Sequence, residues 1–113
     1  MFAVARETRF AKGIIKRLLK SHKTISAQNP ELVGSALYKE VLLHSKLVSA
    51  DDVDKVLSQS EDSADEWTSE ARDRLHFRQV AHFLVMSLHA AAGKTGAVAS
   101  FRGIVYALVP KEL

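Results

Sequence analysis

Hydrophobic positions recur at helical spacing through most of this chain, most sharply in its first 23 residues. Val4, Phe10, Ala11, Ile14, Ile15, Leu18 and Leu19 fall on one side of a helix. Taking about 100° per residue, Arg6, Arg9, Lys12, Lys16, Arg17, Lys20 and Lys23 fill an arc of roughly 140° on the other side. Glu7 is the one acid among them. The spacing predicts a helix from Val4 to Lys23 that packs an apolar stripe on the rest of the fold and presents a cationic stripe outward.

Thr24–Asn29 reads as a polar loop, and Pro30 suits the first turn of a second helix with Asn29 as its cap. That helix, over 30–47, is expected to turn Leu32, Val33, Ala36, Leu37, Val41, Leu43 and Val48 inward. Ser49 followed by Asp52 resembles a capping box with aspartate in the place of glutamate. It starts a short helix through Leu57, whose Asp51, Asp52 and Asp54 lie at the positive end of the helix dipole. Leu37 to Gln59 thus reads as a helical hairpin with a tight corner at Val48–Ala50.

Ser58–Ser63, polar and acidic, reads as a linker, and Ser63 caps a long helix over Ala64–Ala92. The first half of that helix alternates charge through Glu70, Arg72, Asp73 and Arg74. The second half surrounds its axis with Phe77, Val80, Phe83, Leu84, Val85, Met86 and Leu88. A helix apolar all round lies at the centre of a bundle or inside an oligomer. Gly93 and Gly96 end it. Val98, Phe101, Ile104, Val105 and Leu108 keep helical spacing over 97–109; a β-hairpin turning at Arg102–Gly103 is the alternative for that segment. The expected fold is all-α, a compact bundle of four or five helices in a single domain, 1–113, with the 64–92 helix at its centre.

Composition is that of a globular protein, with 47% hydrophobic and 26% charged residues, and it contains no cysteine. Thiolate chemistry, disulfides and cysteine metal sites are therefore excluded, which is compatible with a reducing compartment and a cytoplasmic location. The formal net charge of +3 conceals an uneven distribution. Residues 1–23 carry seven cations against Glu7, whereas residues 51–70 carry eight acids against Lys55. The most apolar stretch, Val80–Ala92, holds 13 residues including His82 and His89, short of the about 20 that a membrane span needs. The first residues are arginine-rich and acid-poor, as transit peptides are, but Ile14, Leu18 and Leu19 read as the core face of a retained helix.

Motif by motif, catalytic signatures fail. Gly93–Lys94–Thr95 has Leu88 where a phosphate loop needs glycine, and follows a helix rather than a strand. His89 is followed by glycine at +4 and lysine at +5, the reverse of the order in histidine-phosphotransfer helices, so no resemblance is drawn. His82 and His89 stand seven residues apart, roughly 10.5 Å of helical rise, too far to share one metal ion. No metal and no cofactor is expected.

Two groups of residues remain as candidates. Glu40, at the centre of the second helix's expected apolar arc, lies one turn from His44, and Arg78 and His82 share a face of the long helix. An unpaired buried carboxylate costs several kcal/mol, so Glu40 is expected to be buried against Arg78 or a histidine. Such a cluster is a structural ion pair or, in an enzyme, a ligand or proton-transfer pocket. The second group is the cationic stripe: Arg6, Arg9, Lys12, Lys16, Arg17, Lys20 and Lys23. Such a charge run is either a solvated face or a binding face; a partner is expected to be an acidic protein surface, the chain's own 51–70 segment included, with nucleic acid phosphates as the alternative and an anionic membrane surface behind both. The stripe lacks the aromatics, asparagine or glutamine that stack on or read bases. The expected role is thus a non-enzymatic interaction or regulatory module, and a homo-oligomer is compatible with it.

Overall fold

The computed structural model of the chain describes the backbone of residues 2–62, 77–93 and 100–110, and the side chains of 8–60, 77–93 and 101–110. Among the described residues there are five helices and no strand. The first, α1, runs from Phe2 to Gln28, past the expected loop at Thr24. The polar residues there do not break it, because their side chains turn back onto the helix. Thr24 Oγ1 donates to Lys20 O at 3.1 Å and Ser26 Oγ to Lys23 O at 3.3 Å. Ser21, His22 and Ile25 meanwhile extend the buried face. Asn29 closes α1 instead of opening the next helix: its backbone N–H and its Nδ2 both donate to Ile25 O, at 2.9 and 3.2 Å.

The second helix, α2 (Gly34–Ser45), therefore starts four residues later than Pro30 suggested. Extended Val33 precedes it without any side-chain cap, and Gly34 supplies a positive φ of 60° at the entry. At its end Lys46 takes the left-handed conformation, with φ 57°, ψ 22°, where glycine is the usual occupant. The expected inward face of α2 needs correcting. Leu37, Tyr38, Val41, Leu42 and Ser45 are buried, whereas Ala36 is exposed and Val33 is 75% exposed.

Helix α3 (Ala50–Asp62) begins at the predicted cap, although Ser49 Oγ bonds Asp52 Oδ2 at 3.0 Å rather than a backbone N–H. It runs beyond Leu57, through most of the expected linker. Ser60 allows this by burying its hydroxyl against Val56 O at 2.7 Å. Of the expected 64–92 helix, the structure describes α4 (Phe77–Ala91), and residues 64–76 lie outside the described residues. Gly93, φ 68°, ends it as expected; Gly96 lies outside the described residues. The last helix, α5 (Ser100–Leu108), decides against the hairpin alternative for that segment.

Each helix packs on the next in chain order, α5 returns to α1, and α1 also packs on α4. Among the described residues the bundle is thus a ring of five helices, crossed by the contact of α1 with α4 and by Tyr38 of α2 against Phe77 of α4, so that α1 and α4 share its centre. Ile15 and Leu18 of α1 meet Val80, Leu84 and Val85 of α4, Val41 and Leu42 of α2, Val53 of α3, and Phe101 and Val105 of α5 in one core. Phe83, Met86 and Leu88 are only half-buried and Ala90 is exposed, so the described part of α4 is not enclosed on every side.

Candidate functional site

On α1 the two faces separate as the sequence required. Ala11, Ile14, Ile15, Leu18, Ser21, His22 and Ile25 are buried. Arg9, Lys12, Lys16, Arg17, Lys20 and Lys23 are all exposed; the side chain of Arg6 lies outside the described residues. From Arg9 to Lys23 the cationic face extends about 21 Å along the axis. Among the described residues none of these six cations forms an ion pair. The described acids of α3 do not serve them: Asp51, Asp52 and Asp54 are exposed on a helix that packs on α2 and α4. Asp54 pairs instead with Lys39 at 3.6 Å, an exposed contact of the kind that contributes about 0–1 kcal/mol.

Such a face does not stabilise the fold. Lys12, Lys16 and Lys20 follow one another at i, i+4, where like charges each cost about 0.2–0.5 kcal/mol. Gly13 lies inside the same arc, exposed and in ordinary helical conformation. Relative to alanine it costs a helix interior about 1 kcal/mol.

The polar cluster expected around Glu40 is not buried. Glu40 is exposed because α2 is rotated, burying Tyr38 and Leu42 in place of Ala36 and Glu40. His44 is exposed too, and its Nδ1 lies 3.0 Å from Ser21 Oγ, tying α2 to α1. Arg78 turns the other way: Nε donates to Val109 O at 2.6 Å and Nη2 to Tyr106 O at 3.3 Å, with its guanidinium 4.6 Å from the Tyr106 ring centroid. It thereby satisfies carbonyls at the C-terminal end of α5 that no further turn can reach. His82, half-buried, packs edge-on to Phe83. An acid–base pocket built on these four residues has no geometry here.

Two buried histidines went unread in the sequence or were read only in passing. His22 lies 4.7 Å from the Phe77 ring centroid, and Tyr38 lies 5.3 Å from it on the other helix. Burial lowers the pKa of His22 and raises that of Tyr38, the latter partly offset by a backbone hydrogen bond with Phe77. His89 is held edge-on between Phe10 and Phe101, with centroids at 5.7 and 5.1 Å, at the junction of α1, α4 and α5. The sequence signal for them was their place on apolar arcs, where an imidazole packs as an aromatic ring.

A groove of about 320 Å³ runs between α3 and α4, lined by Val48, Asp52, Lys55, Val56, Gln59, Ser87, Leu88 and Ala91. Its charged groups are one aspartate and one lysine. Among the described residues no three metal-binding side chains come together, and no helix is long and apolar enough to cross a membrane. The exposed cationic face of α1 is the feature that the fold leaves unexplained. Compared with protein-family models, with curated proteins and with solved structures, the chain finds no match in any of the three.

Proposed function

We propose that the chain is a non-enzymatic interaction module that binds an acidic protein surface through the cationic face of α1. One observation carries this reading: six exposed cations on one helix, none ion-paired among the described residues, opposite a face fully used by α2, α4 and α5. Repulsion along the lysine row costs the fold stability, and an anionic partner turns that cost into attraction. The absence of base-stacking or base-reading side chains among the cations favours a protein over nucleic acid as that partner.

The test is a binding titration of the parent chain and of the triple variant K12E/K16E/K20E. The probes are a glutamate-rich helical peptide of about 20 residues and a random-sequence DNA duplex, each followed by fluorescence anisotropy. The parent should bind the peptide, and the triple variant should lose at least about tenfold, more than 1.4 kcal/mol. Preference for the duplex, with affinity collapsing between about 50 and 200 mM salt, replaces this reading with phosphate binding. Binding to neither probe leaves the stripe as a solvated face and ends the proposal.

A further inference from the structure

Resting on that reading, we infer that Gly13 is the point at which an acidic helix of the partner crosses α1 in van der Waals contact. Nothing among the described residues calls for glycine at this position. Its φ is helical, unlike those of Gly34 and Gly93. A Cβ added there would meet no atom within 4 Å among the described residues. Only proline is a worse choice in a helix interior, so the fold bears a cost here that no internal contact returns.

The neighbours of Gly13 say what the bare backbone serves. Arg9, Lys16 and Arg17 are one turn away along the helix surface and Lys12 is adjacent; all four are exposed. Helical side chains lean toward the N-terminus, so Lys16 and Arg17 flank the patch that the missing side chain vacates, and neither comes within 4 Å of a Cβ placed there. The result is a strip of naked backbone walled by four cations. Long-range attraction of a polyanion would not change with one methyl group. A packed helix crossing would, because the side chains at the contact set the distance between two helices. Carboxylates repeating every three and four residues on the partner helix match the spacing of the four cations. Gly103 on α5 is equally open, but Arg102 is the one cation beside it and Tyr106 and Ala107 one turn on carry no charge, so it is not walled as Gly13 is.

The experiment compares the parent, Gly13→Ala, Gly13→Leu and K12E/K16E/K20E by thermal melting and by titration with the glutamate-rich helical peptide and the DNA duplex. Gly13→Ala should raise Tm by about 4–8 °C, since it removes an unfavourable helix residue. The same variant should bind the peptide at least about fivefold more weakly, and Gly13→Leu more weakly still, as when bulk is forced into a packed contact. If both glycine variants bind like the parent while the triple variant loses affinity, the notch is overturned and the cationic-face reading stands. If the triple variant also binds like the parent, both fall. A Tm unchanged or lowered in Gly13→Ala places the glycine in the service of the fold and overturns the inference. Sensitivity to Gly13 seen with the duplex alone overturns the acidic helix as occupant.

Discussion

The imidazole of His22 and the ring of Phe77 lie with centroids 4.7 Å apart, and His22 Nε2 is buried without a hydrogen-bond partner among the described residues. This contact joins α1 to the start of α4, so protonating the imidazole places a charge against the Phe77 ring, with no acceptor for Nε2 among the described residues. Burial lowers the His22 pKa below the ordinary 6.5. As pH falls below that value the unfolded chain takes up a proton that the folded chain refuses, and stability falls with it. The loss stops once pH lies below the folded pKa. His22→Phe should therefore show a smaller drop in Tm than the parent between about pH 7.5 and pH 5.5. Equal drops in the two proteins would show that His22 does not contribute to the acid sensitivity.

Arg78 fastens α4 to the end of α5 through Val109 O, Tyr106 O and the Tyr106 ring. Its replacement by alanine leaves two partly buried carbonyls without this donor, which costs about 1–3 kcal/mol. Lysine keeps the charge but not the planar fork or the stacking, so Arg78→Lys should recover less than half of that loss. Urea unfolding of the three proteins measures it. A lysine variant as stable as the parent would mean that charge at the helix end suffices.

Lys46 holds a left-handed backbone at the end of α2, with φ 57°, a conformation costing an L-residue about 1–2 kcal/mol that glycine avoids. Part of the gain is lost to the greater freedom of glycine in the unfolded chain. Lys46→Gly should thus stabilise by a few tenths to about 1 kcal/mol, seen as a higher urea midpoint at unchanged slope. A destabilised variant would show that the loop at 46–49 needs the lysine itself.

How much of this was readable from sequence differs by helix, for physical reasons. The two faces of α1 were legible because its apolar and cationic residues segregate sharply around the axis. On α2, by contrast, Ala36, Leu37, Tyr38, Val41, Leu42 and Leu43 spread over nearly the whole circumference. The choice of buried face is then made by the neighbouring helices, and Glu40 went outside with Ala36. Thr24, Ser26 and Ser60 look like loop residues by composition, yet their hydroxyls satisfy carbonyls within their own helices. The cationic candidate was thus visible from residue types alone, whereas the polar cluster depended on a rotation that those types do not fix.

Leu84 is fully buried on α4, the helix that touches α1, α3 and α5. Leu84→Ala removes apolar contacts and leaves a void that several helices must close together, a change that costs about 2–5 kcal/mol. Thermal or urea unfolding should register the loss directly. A variant that unfolds like the parent would mean that this part of α4 is not held in the core.

The last prediction separates a partner surface from an internal contact. Lys12, Lys16 and Lys20 are exposed and form no ion pair among the described residues, so changing all three to glutamate removes no attraction that these residues display. The glutamate row repels itself as the lysine row did, but its members stand three residues from Arg9, Arg17 and Lys23, pairs that are favourable on a helix by about 0.2–0.5 kcal/mol each. The Tm of K12E/K16E/K20E should therefore equal or slightly exceed that of the parent, at low and at high ionic strength. The rival arrangement has the acidic stretch between Asp51 and Glu70 neutralising α1 within the same chain. The triple change would then bring like charges together, lowering Tm sharply at low salt, with recovery as added salt screens the repulsion over a Debye length of about 10 Å at 0.1 M. Melts at two ionic strengths decide between the two, and a large salt-sensitive loss would remove the basis for a partner on this face.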